Sequence, residues 1–408
     1  MNSCSHTILD RILVEKQLLF YFKDKKNVFF LNSNDVEKTN LFAVSDSDDT
    51  TEKDWNFGFI TYDYKNQIEQ LSSNHFDGIQ FPEKHFFTPE LLFKINENEL
   101  EVIYHDSIYT KQEIEKIVTA IKLVSIPENE LEAIKVTPRI TKEEYIDNVK
   151  ALKEHIQLGN IYEVNYCMEY YAEDVEINPI DIYLKLNKKS PTPFSCFVKY
   201  DDKYLISATP ERYIQKKGNK IISQPIKGTA KRGLNEQEDE TLKKELFNDV
   251  KERSENVMIV DLVRNDISKI AEKGSVKVDE LFGIYTFPQV HQMISTVSAA
   301  VKENIDFNEI INATFPMGSM TGAPKIRAMQ LIEQYEITKR GLYAGTVGYI
   351  NVAGDFDFNV VIRSLQYNKE NNYLSFIVGG AITALSDPEK EYEECLLKAK
   401  AMLAVLGN

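Results

Sequence analysis

Hydrophobic residues in the first third of the chain fall in short runs separated by polar breaks. KNVFFLN, WNFGFITYDYK, LLFKIN and LEVIYHD are rich in aromatic and β-branched residues, the composition of strands, and their close spacing predicts an antiparallel sheet. Between the first two, Ser45 to Asp54 (SDSDDTTEKD) has no apolar residue to bury and reads as a solvated loop. Helical spacing follows over Lys111–Ser125 and again after Thr141. There Thr141 and Glu144 make the T-x-x-E of a capping box, Tyr145, Val149, Leu152 and Ile156 share one face, and Gly159 ends the helix. The intervening IPENELEAIKVTPR is polar and proline-flanked, which divides the chain into an N-terminal sub-domain, 1–130, and a larger second region, 131–408.

Beyond that division strands and helices mix without the βαβ rhythm of a parallel sheet. FDFNVVIR alternates Phe356, Phe358, Val360 and Ile362 with Asp357, Asn359 and Arg363, which predicts one strand with Arg363 on its polar side. YLSFIVGGAI comes after the turn-like NKENN and completes a hairpin. No solenoid-length repeat is visible, and the pattern predicts an α+β fold with large antiparallel sheets.

Composition narrows the function. The chain has 408 residues, 43% of them hydrophobic, and a net charge of −15, enough to bury a large core and too acidic for a phosphate backbone. Nucleic acid is therefore not an expected partner. Cys4, Cys167, Cys196 and Cys395 lie far apart with no CxxC pair, against a structural zinc site or a disulfide framework. The opening MNSCSHTILDRILVEKQ is too polar for a signal-peptide core and no membrane-length apolar run occurs, so a cytoplasmic protein without a membrane partner is expected.

Four segments carry candidate chemistry. In KERSENVMIVDLVRND, Glu252 and Glu255 are three apart, as are Glu391 and Glu394 in SDPEKEYEECLLKAK, so each pair projects from one face of a helix. Asp387 and Pro388 supply the cap and first position of the second helix. Clustered carboxylates repel unless a hard cation neutralises them; either pair alone is more simply a solvated face. In FPMGSMTGAPKIRAMQLIEQYE, Gly318, Ser319, Thr321 and Gly322 read as a flexible polar loop, and Pro324 opens a helix with Ala328, Leu331, Ile332 and Tyr335 on its apolar face. Free amides at such a start bind anions, although a plain capped loop has the same pattern. In QPIKGTAKRG, Lys227 lies between Ile226 and Gly228, where an apolar neighbour lowers an ammonium pKa and glycine admits a ligand. Glu211 in TPER, Arg363, Tyr343 in RGLYAGTVGY, and Lys398 one helical turn beyond Glu394 complete the set. Arginine offers a bidentate fork to carboxylates, and a structural ion pair is the alternative for each charged member.

ERSENVMIVDLVRND, GSMTGAPKIRAM, RGLYAGTVGY, FNVVIRS and DPEKEYEECLLKA together resemble, in order, the chorismate-utilising enzymes. This is the family of anthranilate synthase component I, aminodeoxychorismate synthase component I, isochorismate synthase and salicylate synthase. The similarity covers roughly 135–405, and FGFITYDYK looks like the looser N-terminal part of the same proteins. The resemblance implies two large antiparallel sheets packed as a sandwich, flanked by helices, with the site in a cleft. It implies Mg²⁺ on Glu255 and Glu394, supported through water by Glu252 and Glu391, holding the ring carboxylate of chorismate near Lys398 and the amides of Gly379 and Gly380. Arg363 and Tyr343 would take the enolpyruvyl carboxylate, Thr321 and Gly322 would line the ring pocket, and Glu211 would protonate the departing 4-hydroxyl.

Two positions point within the family. Isochorismate and salicylate synthases carry a water-activating lysine in the G-x-x-x-[KQ] segment, where GNIYEVN has Glu163. Lys227 in PIKGT replaces the alanine usual in anthranilate synthases and resembles aminodeoxychorismate synthases. The implied reaction is attack of the lysine amine at C2 with loss of the C4 hydroxyl, then entry of ammonia at C4 with loss of the lysine. No G-x-C-x-G glutaminase motif is present, so ammonia would come free or from a separate glutamine amidotransferase subunit. Anthranilate synthase component I and a catalytically silent chorismate-binding subunit are the alternatives. Departures from the family pattern are Gln292 at the usual histidine of V-x-H-[LM]-V-S, with His291 one place earlier, the Met317-Gly318-Ser319 loop, and Gly379-Gly380-Ala381. No N-terminal tryptophan-binding signature is found.

Overall fold

Phe29 and Phe30 are neighbours on the strand Asn27–Asn32, face opposite ways, and are both buried. Phe29 packs against Phe59 and Phe87 of a facing sheet, and Phe30 against Tyr183 of the helix Pro179–Lys189. A strand with no wet face belongs to a middle layer, and that is why KNVFFLN reads as an unbroken apolar run.

The structure, a computed structural model, describes residues 1–127, 132–288 and 290–407. Among these residues one sheet has 12 strands and a second has nine, with antiparallel pairing. The first runs from Asn2–Thr7 at one edge through Asn27–Asn32, Ser195–Tyr200 and Tyr373–Ile382 to Glu163–Ala172 and the short Gly322–Ala323. The second runs from Ile226–Lys231 and Val290–Ala300 through Phe356–Asn359 to Asn56–Ile60 and Lys84–Phe87. Phe29, Leu92, Cys196 and Val198 of the first sheet meet Phe57, Phe59, Phe87 and Val347 of the second in one apolar layer. A larger layer lies under the helices. The expected sandwich of two antiparallel sheets flanked by helices is what the chain forms.

The four N-terminal runs become the strands Asn27–Asn32, Asn56–Ile60, Leu91–Ile95 and Glu99–Tyr104, although Asn56–Ile60 joins the second sheet and TYDYK turns into a short 3-10 helix, Tyr62–Tyr64. Residues from both sides of the 1–130/131–408 division enter both sheets. The division itself falls at 128–131, outside the described residues. The capping box at Thr141 forms as read, Glu144 N donating to Thr141 Oγ1 at 3.2 Å. Gly159 follows that helix with φ +75°.

FDFNVVIR is not one strand. Its strand ends at Asn359, and a new one, Ser364–Asn368, belongs to the other sheet. Val360 N donates to Glu211 O and Val361 N to Gly345 O, each at 2.9 Å, so both valines are buried in the crossing. Arg363 takes a left-handed φ of +50°. GSMTG likewise departs from a flexible polar loop: Gly318, Ser319, Thr321 and Gly322 are buried, because Gly322–Ala323 pairs with Glu163–Val164.

Two helices bring acid toward this seam. Val250–Ser268 is capped by Asp249, which accepts from Glu252 N at 2.9 Å, and packs on the strands Ile226–Lys231 and Val290–Ala300. Pro388–Val405 is capped by Asp387 and packs on Tyr373–Ile382. Glu252 and Glu391 sit in their first turns, where the helix dipole favours negative charge. Among the described residues no helix is long and apolar enough to cross a membrane.

Candidate active site

Lys227 is on the strand Ile226–Lys231 rather than in a turn, with its side chain 10% exposed. Its ammonium donates to Glu163 Oε1 at 2.8 Å, and Glu163 is 1% exposed at the start of Glu163–Ala172, the strand next to the edge of the other sheet. The contact thus spans the seam between the sheets. The expectation that an apolar neighbour lowers the Lys227 pKa is overturned. Burial alone would lower it, but the carboxylates of Glu163, Glu255 and Glu211 raise it well above the ordinary lysine range.

Glu211 is buried next to this pair. Ser319 Oγ donates to its Oε1 at 2.8 Å, and the backbone N–H of Ile226, the residue before Lys227, donates as well. Burial pushes its pKa up to about 7, against the opposing pull of Ser319, Lys227, Ile226 and Arg363. A carboxyl near neutrality can donate a proton. The Arg363 guanidinium is pulled down by burial and partly restored by Glu211. Arg363 is therefore part of this cluster even though it lies on a crossing segment rather than on a polar strand face.

The four helical glutamates converge on Lys251. Its Nζ is 3.8 Å from Glu255 Oε1 and 3.5 Å from Glu391 Oε1, and Glu394 and Glu252 also raise its pKa. Gly228 has φ +90°, and a β-carbon there would stand 3.2 Å from Glu252 Oε2, so glycine lets the Lys227 strand approach the acidic helix. Burial, with Glu163 and Glu252 adding to it against Lys227 and Lys251, pushes Glu255 up to about 7. On the other helix Lys398 bridges Glu394 Oε1 at 2.7 Å and Gly379 O at 2.8 Å. A β-carbon on Gly380 would lie 3.3 Å from Glu391 Oε2 and 3.7 Å from Glu394 Oε1, so the two glycines border the acidic face.

As these side chains stand, no group of three acidic, histidine or cysteine residues among the described ones is arranged to hold a metal ion. The donor set still fits a hard cation in its chemistry. Glu255 Oε1 is buried without a hydrogen-bond donor, and a buried carboxylate oxygen in that state calls for positive charge. Glu252, Glu255, Glu391 and Glu394 share Lys251 and Lys398, leaving an excess of negative charge.

The remaining expected residues border the same seam. Thr321 is buried, with Oγ1 donating to Met317 O at 3.2 Å and Gly318 O at 3.3 Å. Gly322 pairs with Val164 beside Glu163. Tyr343 is also buried, but its hydroxyl faces Cys167 Sγ at 3.8 Å, and Cys167 lies opposite Gly379 in the sheet. His291 is turned away, bonded to Asp239 Oδ1 at 2.9 Å and Thr286 Oγ1 at 3.0 Å, so it joins strand to helix. Gln292 is buried with Oε1 lacking a donor.

The sequence motifs do not mark Glu163 and Lys251 as site residues. Both left a signal. Glu163 opens EVNYCMEY, where a charge inside a fully buried strand requires a cation, and Lys251 stands four residues before Glu255.

Residues 10–404 match the family described as chorismate binding enzyme. Anthranilate synthase component 1 of Aquifex aeolicus (strain VF5) is 39% identical over 266 residues, 65% of this chain. Aminodeoxychorismate synthase component 1 of Bacillus subtilis (strain 168) is 32% identical over 360 residues, 86% of this chain. The match spans about half the Aquifex protein, 53%, and 76% of the Bacillus one. The solved anthranilate synthase component I from Streptococcus pneumoniae TIGR4 superposes with TM-score 0.76 at 26% identity, covering 99% of this chain and 92% of that one.

Proposed function

The chain belongs to the chorismate-binding enzymes and has the anthranilate synthase component I fold, and from that premise we propose that it converts chorismate and ammonia to 4-amino-4-deoxychorismate. The observation that carries this reading is Lys227, buried against Glu163 with Glu211 beside it. An amine in that position suits displacement chemistry on the ring. The name of the Bacillus relative, matching 86% of this chain, supports the same activity.

In this mechanism Glu211 in its protonated form hands a proton to the departing 4-hydroxyl. The Lys227 amine forms a bond to C2 as the C4–O bond breaks, and ammonia then bonds to C4 as the lysine leaves. Arg363 and Tyr343 hold the enolpyruvyl carboxylate, Thr321 and Gly322 line the ring, and Lys398 with the Gly379–Gly380 edge borders the ring carboxylate. Glu255 and Glu394, backed by Glu252 and Glu391, would hold Mg²⁺, whose charge offsets that of the ring carboxylate. Ammonia comes free or from a separate glutamine amidotransferase subunit, and the reaction takes place in the cytoplasm.

The identity to the Aquifex anthranilate synthase component 1, 39% over 65% of the chain, favours a second reading. There ammonia adds at C2 and pyruvate is eliminated. The purified chain incubated with chorismate, Mg²⁺ and ammonium, with products identified by mass spectrometry, separates the two. Aminodeoxychorismate is the expected product. Anthranilate and pyruvate in its place would establish the second reading, and unconsumed chorismate would end both.

A further inference from the structure

A carboxylate buried to 1% exposure is costly unless a cation answers it. The cation that answers Glu163 is Lys227, and the contact is confined to one oxygen. Oε1 accepts the ammonium proton at 2.8 Å, while Oε2 is buried without a donor. Glu211 and Glu255 act on the same ammonium through their charge. Glu211's own hydrogen bonds go to Ser319 and Ile226.

This arrangement poses a chemical difficulty. A lysine held as an ammonium ion has no lone pair with which to attack carbon. It must first shed a proton to a group within hydrogen-bond reach, and Glu163 Oε1 is in that position already. Because Oε2 holds no donor, taking the proton disrupts no other hydrogen bond of the carboxylate.

We infer that Glu163 is a catalytic base and proton store for Lys227, taking the ammonium proton before attack and returning it after displacement. The inference rests on the reading of Lys227 as the nucleophile. In the first half, a proton passes from Nζ to Oε1, the N–C2 bond forms, the C4–O bond breaks, and the hydroxyl leaves as water with the proton of Glu211. In the second half, the ammonia lone pair makes the N–C4 bond and the C2–N bond breaks. Lys227 departs as a neutral amine and recovers its proton from Glu163, while solvent reprotonates Glu211. The sum is chorismate, ammonia and one proton giving water and aminodeoxychorismate in its ammonium form, which balances in atoms and charge.

The role also gives meaning to the carboxylate in GNIYEVN. It faces the lysine across the seam, from the strand next to the edge of the opposite sheet. Replacing it by an amide keeps the shape and a hydrogen bond but removes the proton acceptor.

The test measures kcat for chorismate and ammonium across pH in the wild type, Glu163→Gln, Glu163→Asp and Glu163→Ser, with chorismate binding followed by calorimetry. The titratable groups facing the pair are Glu211 before the strand Arg212–Lys217, Glu252 and Glu255 on one acidic helix and Glu394 on the other; the Glu163 charge itself helps to raise Glu255, so Glu163→Gln is also compared with Glu163→Asp, which keeps that charge. Glu163→Gln is expected to lose about 100-fold or more in kcat at neutral pH. Its ratio to wild type should rise with pH, as hydroxide takes over the deprotonation, while chorismate still binds. Glu163→Asp, which keeps a proton acceptor, should keep a ratio that does not change with pH; Glu163→Ser, which has none, should repeat the rise with pH and carries the test if the Gln variant does not fold. A ratio for Glu163→Gln that stays the same at every pH would show a structural role only and overturn the inference, as would an undiminished rate. Wild type that makes no aminodeoxychorismate would instead overturn the proposed function, and this inference with it.

Discussion

Ser319 donates its hydroxyl proton to Glu211 Oε1 at 2.8 Å, and both side chains are buried. The bond ties the GSMTG segment to Glu211, which directly precedes the strand Arg212–Lys217 of the facing sheet. It favours the carboxylate form, whereas burial favours the neutral form and prevails, raising the carboxyl to about 7.

The first prediction concerns pH. Activity that needs protonated Glu211 should fall above pH 7, by about tenfold per unit where that proton is lost. Removing the Ser319 hydroxyl takes away a donor to the carboxylate, so Ser319→Ala should shift this alkaline limb to higher pH. A pH profile of kcat/KM for the two proteins checks it, and an unmoved limb would count against Glu211 as the acid.

The same group has a signature in stability. Its folded pKa, about 7, lies above the ordinary value of 4.5, so the folded chain holds a proton that the unfolded chain has already released. The stabilisation is complete below 4.5 and is lost as pH rises through 7. Relative to Glu211→Gln, wild type should lose up to about 3 kcal/mol over this window. Denaturant titrations of both proteins at several pH values read the difference directly.

The sheets and both acidic helices could be read from the chain because each is fixed by local spacing: apolar runs for buried strands, Asp387 as a cap, and glutamates three apart. Where the reading failed, long-range geometry decided. Alternation in FDFNVVIR continues through Arg363 on paper, but the backbone leaves one sheet for the other after Asn359. QPIKGT carries no strand pattern of its own, yet its partner strand lies about 65 residues away and makes it a strand. The polarity of Lys227 followed the same rule. Its sequence neighbours are apolar, whereas its neighbours in space are Glu163, Glu211 and Glu255, and no local pattern brings these together.

Lys227→Ala should abolish most aminodeoxychorismate formation while leaving Mg²⁺ binding intact, because the helical glutamates are untouched. It should also destabilise the fold by about 3–5 kcal/mol, since Glu163 would be left as an unanswered buried charge. Adding Glu163→Gln to that variant should recover most of the stability and none of the activity. Product analysis by mass spectrometry, Mg²⁺ calorimetry and thermal unfolding of the three proteins test each part, and unchanged turnover in Lys227→Ala would remove its covalent role.

Glu394→Gln should weaken Mg²⁺-supported chorismate binding, because one anionic ligand is lost from the acidic face. Lys398 would also lose its partner at 2.7 Å. Chorismate affinity measured with and without Mg²⁺ should therefore differ less in the variant than in wild type. A magnesium dependence equal to that of wild type would contradict the assignment of Glu394 as a ligand.

Gly228→Ala joins backbone strain to site geometry. The residue sits at φ +90°, and the added β-carbon would meet Glu252 Oε2 at 3.2 Å and Leu246 Cδ1 at 3.2 Å. An L-residue in this left-handed region costs about 1–2 kcal/mol, so a modest loss of thermal stability is expected. The loss of activity should be larger than that figure conveys, because the strand can relieve the contact only by moving away from the acidic helix. That movement shifts Lys227, the preceding residue, and lengthens its 2.8 Å contact with Glu163. Reaction geometry tolerates such displacement poorly, and about 1 Å can cost on the order of 100-fold in rate. Unfolding midpoints and kcat measured on the same preparation separate the two effects. A variant that loses stability but keeps its full kcat would show that Gly228 serves the fold alone.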